Sequence, residues 1–160
     1  MKTTQRRCFI SYAHESMDHA TLDYLLFTLR DALQDDIQLV HDQQLKYGGD
    51  FDEFMKLLDE VDAVIILLTP TYRRKVVERQ GGVYEEYRRI WARFSDQKID
   101  GSGHIAGNRP ARFEIIPILF SGSMSDATPP ELKNLNQLDL TGLRATRKSR
   151  GEFDVPVHTL

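Results

Sequence analysis

Among the side chains that could do chemistry, the adjacent carboxylates Glu85 and Glu86 are the most informative, because a helical register around them separates their surroundings. Taking about 100° per residue from Val83, the apolar residues Val83, Tyr87, Ile90, Trp91 and Phe94 centre near ~30°. Glu85 then falls roughly opposite the stripe, in solvent, and Glu86 about 90° from its centre, at the boundary. A boundary carboxylate beside a cleft can be partly desolvated and aimed at a ligand, although the same position suits a plain surface charge.

Other reactive groupings are poorly supported. Ser11 with His14 suggests a hydrolase pair, but Ser11 lacks the GxSxG elbow, and a strand-end serine bonding local backbone is the simpler expectation. The histidines at 14, 19, 41, 104 and 158 form no HxxxH or HExxH, so no metal site is expected. The single cysteine, Cys8, can form no internal disulfide and sits in an apolar segment, which reads as a buried strand thiol. Neither GxGxxG nor GxxxxGK[ST] is present, and Gly101, Gly103 and Gly107 have the wrong spacing and context, which disfavours a Rossmann dehydrogenase or a P-loop enzyme.

These groups need a scaffold, and 160 residues suffice for one domain. With 41% hydrophobic and 28% charged residues the composition is that of a chain that folds. Residues 8–12, CFISY, predict a first strand, and Leu22, Leu25, Leu26, Leu29, Ala32 and Leu33 predict an amphipathic helix after Asp18. Residues 37–41 predict a second strand, followed by a polar loop. Asp50 with Glu53 resembles a capping box opening a helix through Val61. The run Ala63 to Leu68, AVIILL, predicts a strand covered on both faces at the sheet centre. TYRRKVVERQGG reads as an irregular basic stretch before a helix over 83–94, and 95–112 as a long exposed loop. Ile115 to Phe120 predict a further strand in which Pro117 marks a start, a bulge or an edge, and Leu135, Leu138 and Leu140 a short fifth. Strands alternating with helices imply an α/β three-layer sandwich with a mostly parallel five-stranded sheet. In such a sheet ligands collect beyond the carboxyl ends of the strands, which selects the loops Ser11 to Ser16, Asp42 to Asp50 and Thr69 to Gly82.

The formal charge of -3 gives no global pull toward nucleic acid or anionic membranes. No apolar run approaches the ~20 residues of a membrane span, and MKTTQRRCFISY has no signal-peptide apolar core, so a cytoplasmic protein is expected. The net charge conceals an asymmetry: ten acids and two lysines lie from Asp31 to Asp62, against seven basic residues and three acids from Arg73 to Arg93. If the two stretches lie on different faces, head-to-tail packing between copies would be complementary and would build filaments. Residues 144–160 read as a polar tail or linker, with a sensor domain, fused or separate, as its expected continuation.

Four blocks in order give the chain a resemblance to TIR domains, specifically the bacterial kind related to SEFIR domains: CFISYAH at 8–14, D-x-x-L-x-x-G-x-D from Asp42 to Asp50, VIILLTPTY at 64–72, and RQGGVYEE at 79–86. FEIIPILFSG at 113–122 and LNQLDL at 135–140 sit where such domains place their last strands, so residues 1–143 read as the TIR domain. The resemblance implies a flavodoxin-like fold and, as in many bacterial members, hydrolysis of NAD+ at the nicotinamide–ribose bond, with cyclisation of the ADP-ribose product as a side reaction. It places the catalytic glutamate three positions after Val83, at Glu86, while Glu85 stands where the family often has tyrosine. It further implies that Ser11, Tyr12 and Ala13 border the nicotinamide and its ribose, and that Asp42, Tyr47 and Tyr72 bond or stack nearby. NAD+ is then substrate rather than cofactor. The expected partners are further TIR copies and a sensor, with neither membrane nor direct nucleic-acid contact, and the expected role is an effector of antiphage defence. A non-catalytic adaptor signalling by homotypic association is the competing reading. A receiver domain fits less well, since CFISYAH has no acid before Glu15.

Overall fold

The computed structural model describes residues 5–33, 37–41, 51–97, 112–142, 146–147 and 153–154. Five parallel strands among them form one sheet: β1 (Arg6–Ser11), β2 (Ile37–His41), β3 (Ala63–Leu68), β4 (Glu114–Leu119) and β5 (Leu138–Asp139), in the order β2-β1-β3-β4-β5. Helices α1 (His19–Leu33), α2 (Phe51–Glu60), α3 (Pro70–Val77), α4 (Gly81–Ser95) and the short α5 (Met124–Ala127) connect them. The strand order is that of a flavodoxin-like, doubly wound sheet, in agreement with the expected α/β class. A two-residue antiparallel pair, β6 (Thr146–Arg147) with β7 (Phe153–Asp154), forms a separate ladder.

The sequence of β3 explains its place. All six residues of AVIILL are buried, between β1 on one side and β4 on the other. Alternation sends Val64, Ile66 and Leu68 into one core layer, with Met55, Leu58, Tyr72, Val83, Tyr87 and Ile90. Ala63, Ile65 and Leu67 enter the other, with Leu22, Leu25 and Leu26 of α1. Removing one such side chain, as in Ile66→Ala, is expected to cost about 2–5 kcal/mol.

Right-handed crossovers decide which helices share a face. The chain steps outward from β1 to β2 and then back across to β3 and β4, so α1 packs on one face and α2, α3 and α4 on the other. Acidic α2 and basic α4 are consequently neighbours, and Arg89 Nη2 pairs with Asp59 Oδ2 at 2.5 Å. The α2 part of the acidic stretch thus shares a face with basic α4 and is partly neutralised by it, against the premise of different faces, while Asp35, Asp36, Asp42 and Asp50 fall outside the described residues.

Local structure brings one further correction, in α3, and bears out the edge position expected of Pro117. The stretch read as irregular, TYRRKVVERQGG, contains α3. Thr69 caps it by accepting the Tyr72 N–H at 3.1 Å, and Pro70 occupies the first turn, where its missing N–H costs nothing. The helix closes with Gln80 N–H on the Lys75 carbonyl and Arg79 N–H on that of Val76, with Arg79 at φ 56° in the left-handed position usually held by glycine. Pro117 lies inside β4 opposite Ile66 of β3, on a strand that β5 joins only at Ile118 and Leu119. The Leu119 carbonyl accepts from Leu140 N–H on the β5 side. By alternation Pro117 turns its missing N–H to that same side, before β5 begins, so no ladder bond is lost. Asp50, expected to cap α2, and most of the expected loop 95–112 fall outside the described residues.

Candidate active site

The chain order reverses between β1 and β3, and the crevice beyond their carboxyl ends is where an open α/β sheet offers a ligand site. Ser11 ends β1 there, and Thr69 follows β3 into α3. The cap on Thr69 fixes the first turn of α3 and directs Tyr72 inward, where it is fully buried with its ring edge-on to Tyr87 of α4 at 6.4 Å. The Tyr72 hydroxyl lies 3.0 Å from Ser11 Oγ. Ser11 Oγ in turn donates to Glu86 Oε2 at 2.9 Å.

Proton counting orders this chain. A carboxylate only accepts, and a serine hydroxyl has one proton to give. Ser11 spends that proton on Glu86, so Tyr72 is the donor to Ser11. Burial pushes the Tyr72 hydroxyl far above its ordinary pKa. The Ser11 hydrogen bond opposes that rise, and the Glu86 charge adds to it, so the phenol keeps its proton.

A second chain runs beside the first. Ser16 Oγ donates to the Ala13 carbonyl at 2.9 Å, which leaves Thr69 Oγ1, also 2.9 Å away, as donor to Ser16. Glu15 accepts from Lys75 of α3, which holds its carboxyl below the usual range. The turn after β1 is therefore tied to α3 at two points, with the Tyr12 and His14 rings 4.6 Å apart.

Glu85 and Glu86 diverge as their register on α4 implies. Glu85 Oε2 accepts from Arg88 Nη2 at 2.9 Å on the outer surface, with 40% of its side chain exposed. Glu86 is half-buried and turned toward the end of β1. Of the expected site residues, Ser11, Ala13 and Tyr72 lie buried on the side of the sheet that carries Glu86, Tyr12 packs into the opposite core layer with Leu22 and Leu25 of α1, and Asp42 and Tyr47 fall outside the described residues. Thr69 and Ser16 were missed, although Thr69-Pro70 is a readable helix start. Gly81 is required by its φ of +64°, while a methyl group at Gly82 would meet nothing within 4 Å. A groove of about 580 Å³ lined by Val77, Tyr84, Arg88 and Trp91 does not include Glu86 or Ser11 and borders this cluster through Tyr87. Cys8, 3% exposed in mid-strand, has its thiol pushed up to about 11 by burial, which makes it inert.

The family model of the TIR domain matches residues 8–152, nearly the whole chain. The chain belongs to the TIR-domain family. Among solved structures, this TIR domain is similar to that of the Toll-related receptor TRR-2 from Hydra magnipapillata, at 18% identity and a TM-score of 0.53, over 84% of this chain and 83% of that one. It also matches a prokaryotic SEFIR domain at 20% identity and a TM-score of 0.48, over 81% and 77% of the two chains. No curated protein matches it in sequence. The family match runs past β5 and takes in β6. No helix among the described residues of this TIR domain is long and apolar enough to cross a membrane.

Proposed function

We propose that this TIR domain is an NAD+ glycohydrolase in which Glu86 is the catalytic carboxylate. The observation that carries the reading is the placement of Glu86: half-buried, at the switch point of the sheet, and held by Ser11. The chemistry suits a lone carboxylate. Nicotinamide in NAD+ is a cationic leaving group, so the N-glycosidic bond breaks with its electron pair going to the ring nitrogen and no acid is needed. The ribose becomes oxocarbenium-like, as in other glycosyl transfers. One fixed anion beside it stabilises that charge and accepts from the ribose hydroxyls. Water then closes the anomeric carbon and loses a proton, giving ADP-ribose. Capture by the adenine ring in place of water gives the cyclic side product.

Tyr12 and Ala13 border the nicotinamide ribose in this reading, and Asp42 and Tyr47 contribute from the loop after β2. Activity depends on self-association of TIR copies under a sensor, and the biological role is a cytoplasmic effector of antiphage defence. Concentrated or artificially clustered protein is expected to release nicotinamide from NAD+, and Glu86→Gln to abolish the release. Clustered protein that releases none, or a Glu86→Gln variant as active as the parent, would overturn the assignment in favour of a non-catalytic adaptor.

A further inference from the structure

We infer that Tyr72 and Ser11 are positioning residues for Glu86, forming a one-way hydrogen-bond relay that fixes the carboxylate before substrate arrives. The inference rests on the glycohydrolase reading for its kinetic consequence, and on geometry alone for the relay. Three elements meet in it: Tyr72 on the first turn of α3, Ser11 at the end of β1, and Glu86 on α4. Tyr72 cannot drift, because its N–H is taken by Thr69, its ring is packed edge-on against Tyr87, and none of it is exposed. Ser11 is 1% exposed and has no second proton to offer. With both hydroxyls committed, neither Tyr72 nor Ser11 donates to the sugar while the relay stands. Their effect on the reaction passes through Glu86.

A buried hydroxyl pair against the core layer that holds Tyr72 and Tyr87 carries a desolvation cost that an apolar pair would avoid. Here the pair ends on a half-buried carboxylate and holds it in one orientation, the arrangement in which a fixed charge acts on a developing cation without reorganising. The substrate contacts expected of Ser11 and Tyr72 are replaced by this indirect role.

The test uses the full chain in clustered form. Tyr72→Phe keeps the ring and removes one hydroxyl. It is expected to lower kcat about tenfold with KM for NAD+ essentially unchanged, the loss of one hydrogen bond acting only on the reacting state. Ser11→Ala is expected to lower kcat further, and the double variant to match Ser11→Ala alone, because the Tyr72 hydroxyl acts only through Ser11. Unchanged kcat in Tyr72→Phe, or effects that multiply in the double variant, would overturn the relay. A readout free of turnover separates this from failure of the enzyme reading. The Tyr72 hydroxyl proton, identified in the NMR spectrum by its absence from Tyr72→Phe, should be protected from exchange and should move upfield in Glu86→Gln. A resonance indifferent to Glu86, or no protected resonance, contradicts the relay whether or not the protein hydrolyses NAD+.

Discussion

The two ends of the parallel sheet both hold buried or half-buried polar side chains, and they use them differently. At the end where the strands begin, side chains grip backbone. Asp62 accepts the Arg7 N–H at 2.7 Å, and Arg93 Nη1 donates to the carbonyls of Leu58 and Val61, its guanidinium 4.0 Å from the centre of the Phe113 ring. Gln97 bonds both the N–H and the carbonyl of Phe113, each at 2.9 Å. Every one of these satisfies a main-chain group where a helix ends or a strand starts, and so holds the fold together. At the end where β1 stops, Thr69 and Ser16 also bond main-chain groups, but beside them side chain bonds side chain, from Tyr72 through Ser11 to a carboxylate that closes no strand and caps no helix. Both ends stabilise the backbone, and the second also places a charge.

Substitutions at the two ends should therefore separate stability from turnover. The largest effect expected is on activity: Glu86→Gln loses at least about a hundredfold in nicotinamide release, with a melting temperature close to that of the parent. Arg93→Ala shows the reverse pattern. Loss of a charged donor to two carbonyls and of its contact with Phe113 should lower urea-unfolding stability by about 2–3 kcal/mol, while the folded fraction turns over at the parental rate. Thr69→Ala joins the two behaviours, since the cap of α3 also sets Tyr72. About 1 kcal/mol of stability is expected to go, and kcat to fall with it. Asp59→Asn should be the mildest. Its partner Arg89 is 45% exposed, so the pair is solvated and the urea midpoint is expected to stay close to that of the parent. Measured urea midpoints and kcat values that fall together for Glu86→Gln and Arg93→Ala would dissolve the contrast.

Much of this was readable from the residues, for physical reasons. AVIILL, bounded by Asp62 and Thr69-Pro70, reads as a strand covered on both faces, and the stripe from Val83 to Phe94 fixes the face of α4, which puts Glu86 at its boundary and Glu85 opposite. The helix α3 was hidden because only Tyr72 and Val76 of its eight residues are buried, too few to show a period. Its signal lay in Thr69-Pro70, a cap and a first-turn proline that also reads as the end of β3. The relay was illegible, since nothing in the order of residues states that a hydroxyl at position 72 meets one at position 11. The charge asymmetry misled for α2 and α4 because it is a property of the chain, whereas the crossover rule, which puts those two helices on one face, is a property of the sheet.

The central claim, that Glu86 and not its neighbour is the working carboxylate, is tested most directly by nicotinamide release from NAD+ with clustered parent, Glu85→Gln and Glu86→Gln proteins side by side. The parent and Glu85→Gln should release nicotinamide at similar rates, and Glu86→Gln should release none above background. Loss of activity in Glu85→Gln with retention in Glu86→Gln would contradict the account.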